Sequence, residues 1–272
     1  MPFFHIAVLA LVQGITEFLP ISSSGHLVLV PWLVGWEDQG VTLDVAVHVG
    51  TLGAVVVYLW RDIIMILAGL WRVIKGKGVN DGARIGFLLV LGTLPVVGAG
   101  YWMHKAMPEG IRSIEVIGWA TLGFGLVLWM TDKFGLTLRR MEHLGVSDVL
   151  IIGISQCLAL IPGTSRSGIT MAAGRLLGME RVDCARFSML LSIPAIVGAG
   201  VLKGLDLYKS GDVLQMNTAL TGIGLSFVSA LVAIALMMAW LRRASFTPFV
   251  LYRIALGGAL LAVAYGYVSP PA

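Results

Sequence analysis

The alternation of apolar and polar positions divides the chain into long hydrocarbon-like runs and two interruptions. Six stretches, 43–60, 84–103, 114–132, 186–203, 218–241 and 248–268, are apolar over close to a bilayer's thickness. A helix rising 1.5 Å per residue needs about 20 residues to cross a core of roughly 30 Å. Each stretch therefore predicts a spanning helix. Two others, 3–34 and 147–179, are apolar at both ends but polar and glycine-rich at the centre, ISSSGH and PGTSRSG. Unwound backbone at membrane depth is tolerated only where protein buries it or a wet cavity receives it. Both stretches predict re-entrant helix–break–helix hairpins that enter and leave on one side. Continuous rather than alternating apolar runs argue against a β-barrel.

Composition agrees with this reading. The chain has 272 residues, 57% hydrophobic and 12% charged, where a soluble domain carries about 25% charged residues. The expected fold class is an all-α integral membrane protein forming a single domain, 1–272. Its net charge of +4 is no nucleic-acid signal, because the basic residues fall in short loops where they set orientation. Cys157 and Cys184 lie in or beside apolar segments and read as small buried fillers rather than a disulfide. Residues 1–12 lack a positive n-region, so the first segment is expected to be retained.

The two interrupted stretches resemble each other. A shift of 143 places Gln13 on Gln156, Ser22 on Ser165, Ser24 on Ser167 and Gly25 on Gly168, then Gly35 on Gly178 and Glu37 on Glu180. Each copy is followed by three spans. An odd number of crossings inverts the second copy, so the chain reads as an inverted-topology repeat, about 1–135 and about 145–272. Loop charges set the orientation. Arg61, Arg72, Lys75, Lys77, Arg84, Lys133, Arg139, Arg140, Arg181, Arg186, Arg242 and Arg243 fall on one side; Lys105, Arg112, Lys203 and Lys209 fall on the other. The richer side is assigned to the cytoplasm. Both termini and the opening of the first hairpin are then outside.

The interruptions carry the candidate chemistry. Ser22, Ser23, Ser24, Gly25 and His26 offer three hydroxyls, free backbone N–H groups and an imidazole. Gly25 permits unusual backbone angles, and a serine before a new helix caps it. Helix N-termini attract anions. The second interruption adds Thr164, Ser165, Arg166 and Ser167, and a guanidinium suits phosphate oxygens. Together they predict a phosphate cradle. Glu17, at membrane depth, costs at least about 2.5–3.5 kcal/mol to insert, which marks it as functional: a ligand for a divalent metal, a base, or the group that orients His26. Gln13 lies one turn earlier on its face, and His26 is a second candidate base. Ser23, the middle serine, is the chosen nucleophile, although spacing does not separate it from Ser22 or Ser24. Against this, the serines alone could simply cap a helix, and Glu17 could be a structural pair. Asp44 and His48, spaced i,i+4, could line the mouth of the site but are more readily a local pair. Arg253 is expected to snorkel toward the cytoplasmic interface. Trp60, Trp102 and Trp240 fit an aromatic belt. The Val/Gly/Ala-rich stretches after Pro95 and Pro194 read as packing or kink positions, with a homodimer interface as one use of them.

QGITEFLPISSSGH and PGTSRSG, the latter followed by Ile169 and Thr170, resemble the two signatures of the bacterial undecaprenyl pyrophosphate phosphatases, the bacitracin-resistance family. DVAVHVGTLGAVVVYLWRD and SFTPFVLYRIA extend the resemblance over essentially the whole chain. It implies an inner-membrane hydrolase that removes the terminal phosphate of a C55 isoprenyl diphosphate, yielding the lipid monophosphate carrier for peptidoglycan. It also implies a divalent cation, Mg²⁺ or Ca²⁺, a site facing the periplasm, and bacitracin acting only through the substrate. The signature positions fall on Gln13, Glu17, Ser23, His26 and Arg166. Gln13 is uncharged, so Glu17 carries any carboxylate role. The expected mechanism is attack by Ser23 assisted by His26 or Glu17, with His26 or water as alternative nucleophiles. A competing class is a transporter or flippase of a polyprenyl phosphate or small anion, since paired broken helices are common in secondary transporters.

Overall fold

The computed structural model describes residues 2–36, 40–107, 111, 113–210 and 213–267. Glu37, paired above with Glu180, and Arg112, counted in the loop charges, lie outside them. The described residues are almost wholly helical, and their one β contact is an isolated bridge between Arg139 and Met179. The helices are α1 Phe3–Thr16, α2 Ser23–Val34, α3 Gly40–Tyr58, α4 Trp60–Ile74, α5 Asp81–Ala106, α6 Ile114–Phe134, α7 Val146–Gln156, α8 Arg166–Leu176, α9 Arg181–Ser210, α10 Val213–Leu241 and α11 Thr247–Ala264.

Four of these are long and apolar enough to cross a membrane: α5, α6, α10 and α11. A fifth crossing is reached if α3 and α4, bent by 84° across their junction, are taken together. Of the remaining two expected spans, 186–203 falls within α9, and 43–60 covers most of α3 but runs past its end at Tyr58 to Trp60, the first residue of α4. α4 was not foreseen. It is amphipathic: Ile64, Leu67, Trp71 and Ile74 face outward, while Asp62 and Ile66 are buried. Asp62 pairs with Arg186 of α9 and so anchors the start of α4.

Local chemistry sets the ends. Asn80 caps α5 through Ala83 N–H at 3.0 Å, and Ser113 caps α6 through Val116 N–H at 3.4 Å. Such caps satisfy donors that a helix start leaves unpaired. The helices pack chiefly as α3 on α10, α1 on α10 and α6 on α11. Gly50 shows how close the first contact is, since a Cβ there would lie 2.3 Å from the Ile223 carbonyl oxygen. Small residues let helices approach to this distance. The central core gathers Phe18, Leu128, Met171, Phe187, Leu190 and Ile234, so residues beside both interruptions are packed into it. Cys157 and Cys184 are free, and Cys184 is buried.

Candidate active site

The first interruption opens where α1 ends. Thr16 Oγ1 turns back to the Val12 carbonyl at 2.7 Å, and the chain unwinds through Phe18–Ile21. Ser22 then adopts φ +76°, a left-handed angle costly for any residue with a Cβ. Its hydroxyl accepts the Gly25 N–H at 3.4 Å and starts α2. The second interruption repeats this geometry. Ser165 has φ +70°, and its hydroxyl accepts the Gly168 N–H at 3.1 Å to start α8. Among the described residues these two serines are the only non-glycines at positive φ. Ser24 and Ser167 lie beside their capping serines at 3.5 and 3.1 Å. Gly35 and Gly178 are likewise both left-handed, at φ +68° and +82°. Gly163 has φ +93°, and a Cβ on it would meet the Ile117 carbonyl oxygen at 2.5 Å, so the turn into the second interruption requires glycine.

The two interruptions meet at Glu17. Arg166 Nη2 lies 2.6 Å from Glu17 Oε1. On the other oxygen, Oε2, Ser23 Oγ donates at 2.7 Å and Gln13 Nε2 at 2.8 Å, with His48 Nε2 3.4 Å away. Arg166 also donates to the Ser188 carbonyl at 3.0 Å and lies over the Phe18 ring. Thr170 Oγ1 closes the cluster from behind, bonded to the Arg166 carbonyl and to Ser188 Oγ. Ser167 Oγ donates to the Leu19 carbonyl at 2.9 Å and joins one interruption to the other directly.

A cavity of about 340 Å³ opens on this cluster, lined by Glu17, Ser23, Ser24, Asp44, His48, Gln156, Ser165, Arg166 and Ser192. Gln156 is buried, and neither end of its amide has a hydrogen-bond partner among the described residues. Thr164 Oγ1 and Gln13 Oε1 are in the same condition. Buried polar groups are normally paired, so the unpartnered amide of Gln156, which lines the cavity, offers both a donor and an acceptor to a polar ligand. A second, apolar groove of about 650 Å³ lies between α1 and α10, lined by Leu11, Ile15, Leu19, Val232 and Trp240 among others.

Most sequence-chosen residues converge here. Glu17, Ser23, Ser24, Ser165, Arg166 and Gln156 line the cavity; Gln13, Ser22, Gly25, Thr164, Ser167 and Thr170 frame it. His26 points elsewhere. Its Nδ1 meets the Ser22 carbonyl at 2.7 Å, its Nε2 meets Tyr252 Oη at 2.6 Å, and it is not among the lining residues. His48 and Asp44 are more central than their reading as a local pair suggested. His48 Nδ1 binds the Asp44 backbone carbonyl at 2.6 Å, which leaves Nε2 aimed at Glu17. Ser188 and Ser192 of α9 were missed, since nothing distinguishes a helix serine from a packing residue in sequence. The expectation for Arg253 is corrected. It does not snorkel but is fully buried, with its guanidinium on four backbone carbonyls.

The donor set fits a hard divalent cation in chemistry. Two carboxylates, Glu17 and Asp44, share one cavity with serine hydroxyls, and Mg²⁺ is typically held by one or two carboxylates plus substrate phosphates. No three His, Cys, Asp or Glu side chains gather into a metal-binding group among the described residues, so a cation here would be held jointly with a phosphate ligand.

Two helix N-termini and a guanidinium facing a polar cavity, inside an apolar all-helical body, define a membrane protein with a cavity whose donors suit an anionic group, beside a hydroxyl in contact with a carboxylate. The comparisons narrow the class. The family model for bacitracin resistance protein BacA matches residues 6–259, and the chain belongs to that family. It is 55% identical over 268 residues to a Rhodospirillum rubrum protein named undecaprenyl-diphosphatase 1, covering 96% of this chain and 95% of that one. It is 51% identical to an undecaprenyl-diphosphatase of Ruegeria pomeroyi, covering 97% and 100%, and 48% identical to one of Hahella chejuensis, covering 97% and 99%.

Proposed function

We propose that the chain is an undecaprenyl-diphosphatase, which hydrolyses the terminal phosphate of a C55 isoprenyl diphosphate to leave the lipid monophosphate used as a cell-wall carrier. The observation that carries the reading is Ser23 Oγ donating at 2.7 Å to a carboxylate whose other oxygen pairs with Arg166 at 2.6 Å. Nucleophile, base and phosphate-binding cation are then adjacent, as phosphoryl transfer requires. A carrier of anions needs the guanidinium but not a hydroxyl held on a carboxylate.

In the proposed mechanism the diphosphate lies between the two interruptions. Arg166, the Gln156 amide and the N–H groups opening α2 and α8 hold its oxygens and stabilise charge moving toward the leaving monophosphate. Glu17 accepts the Ser23 proton as Ser23 Oγ bonds to the terminal phosphorus; the bridging P–O bond breaks, and its electrons leave with the lipid monophosphate. Water then cleaves the phosphoserine. A divalent cation, Mg²⁺ or Ca²⁺, held by Glu17 and Asp44 with the phosphates, would neutralise charge on the diphosphate. The isoprenyl tail lies in the apolar groove between α1 and α10. Since His26 is engaged by Ser22 and Tyr252, Glu17 is assigned as the base and His26 as a brace for the left-handed Ser22.

The finer topology is proposed with it: six spans and two re-entrant hairpins in an inverted repeat, about 1–135 and about 145–272. The recurrence of left-handed angles at Ser22 and Ser165, and at Gly35 and Gly178, supports the repeat. Loop charge supports an inner-membrane orientation with both termini and the site on the periplasmic face, where bacitracin meets only the lipid substrate. A homodimer is carried forward as an expectation.

Phosphate release from a polyprenyl diphosphate by purified protein in detergent, with and without EDTA, tests the activity. Release that stops on chelation supports both enzyme and cation. No release with Mg²⁺ or Ca²⁺ present removes the enzyme reading, and release indifferent to EDTA removes the cation.

A further inference from the structure

Arg253 is the most deeply buried cation that the proposed mechanism does not use. It has 0% exposure, and its described partners are all backbone carbonyls rather than carboxylates. Nε donates to Thr121 O at 3.0 Å and Nη2 to Ala120 O at 3.3 Å, both on α6. The other two bonds go to the interruptions: Nη1 to Pro20 O at 3.3 Å and Nη2 to Gly163 O at 3.0 Å. Pro20 and Gly163 are one repeat step apart, 163 − 20 = 143. Three residues further on stand Ser23 and Arg166, again one step apart. One guanidinium thus grips the same backbone position in both halves, one turn ahead of the residues that face the ligand.

Small residues make room for this. A Cβ on Gly125 of α6 would lie 3.0 Å from Arg253 Cβ, and one on Gly168 of α8 would lie 3.2 Å from Nη1. The preceding residue on α11, Tyr252, holds His26 at 2.6 Å, and His26 in turn holds the Ser22 carbonyl at 2.7 Å. α11 therefore reaches both interruptions through neighbouring side chains. A buried guanidinium is costly to desolvate, and its rigid fork lets two separate nitrogens serve the carbonyls of two turns at once.

We infer that Arg253 is a positioning residue for the diphosphate site, fixing the separation and register of the two interruptions so that Ser23 and Arg166 face one phosphate. The inference rests on the proposed phosphatase activity. Its test is the split between kcat and KM for a polyprenyl diphosphate, measured on purified wild type, Arg253→Lys and Arg253→Gln together with their thermal midpoints. Misplacement of reacting groups by about 1 Å costs on the order of 10²-fold in rate. Arg253→Lys, which keeps the charge but loses the fork, should lose about that factor in kcat per folded molecule, as Arg253→Gln does, with KM changed by less than about threefold. Wild-type kcat in folded Arg253→Lys would overturn the inference while leaving the activity standing. Absence of turnover in the wild type would instead overturn the activity. Should neither Arg253 variant be recovered folded, Gly125→Ala displaces the same side chain by tenths of an ångström. A lowered kcat at an unchanged melting point supports the inference, and wild-type kcat in that variant overturns it.

Discussion

Two of the buried carboxylates that pair with arginine, Asp132 and Glu17, differ in what is left over around them. At Asp132, Oδ1 takes Arg175 Nε at 3.1 Å and Arg181 Nε at 2.7 Å, while Oδ2 takes the Phe246 N–H at 3.2 Å. Arg175 is 1% exposed, and its remaining donors meet the carbonyls of Leu136, Met179, Asp132 and Gly135. At Glu17 the carboxylate is just as buried, yet Arg166 is 18% exposed and faces a cavity beside an unpartnered Gln156 amide. A carboxylate and a guanidinium make a closed lock in one place and, in the proposed reading, a ligand site in the other. What distinguishes Arg175 from Arg166 is whether the guanidinium's donors are exhausted.

That contrast ranks the expected effects. Arg166→Ala should lower kcat/KM for a polyprenyl diphosphate by about 10³–10⁵-fold, the range for a cation that stabilises phosphoryl-transfer charge; steady-state phosphate release reads it. Ser23→Ala should lose on the order of 10³-fold or more and should also abolish the ³²P label trapped on the protein by rapid quench with substrate labelled in the terminal phosphate. Full turnover with no trapped label in the wild type would favour direct attack by water. Asp132→Asn belongs to the other cluster. It should cost about 3–5 kcal/mol of stability by stranding Arg175, seen as a lower thermal midpoint, with the activity of the folded fraction retained. His48→Gln is expected to have the smallest effect, a few-fold loss in kcat, because its Nε2 stands 3.4 Å from Glu17 while Ser23 and Gln13 are closer. A loss as large as that of Ser23→Ala would make His48 a full partner in the chemistry.

Much of this was legible in the chain before folding, for identifiable reasons. Spanning runs declare themselves by length: 84–103, 114–132 and 218–241 fall within helices long enough to cross a membrane, and 248–268 overlaps a fourth, Thr247–Ala264. The interruptions are legible because polar, glycine-rich centres are expensive in a bilayer. The meeting of Glu17 with Arg166, 149 positions apart, followed from the repeat. α4 was not legible: Arg61, Arg72 and Lys75 read as loop charge, and only tertiary contact decides that Asp62 is buried against Arg186. His48 and Arg253 were undervalued for a related reason. Their roles depend on how α3 and α11 are rotated about their axes, and a continuous apolar run carries no periodic signal to fix that rotation. The placement of His26 was not legible: a histidine beside a serine trio suggests a base, whereas here its ring lies against the Ser22 carbonyl and Tyr252.

The most direct measurement is phosphate release from a polyprenyl diphosphate by purified Glu17→Gln, read beside its thermal midpoint. A base in contact with the nucleophile contributes about 10²–10⁴-fold. A loss of that size is expected in protein that melts close to the wild-type temperature. Wild-type turnover in Glu17→Gln would contradict it, since the site at the meeting of the two interruptions would then not be where the chemistry occurs.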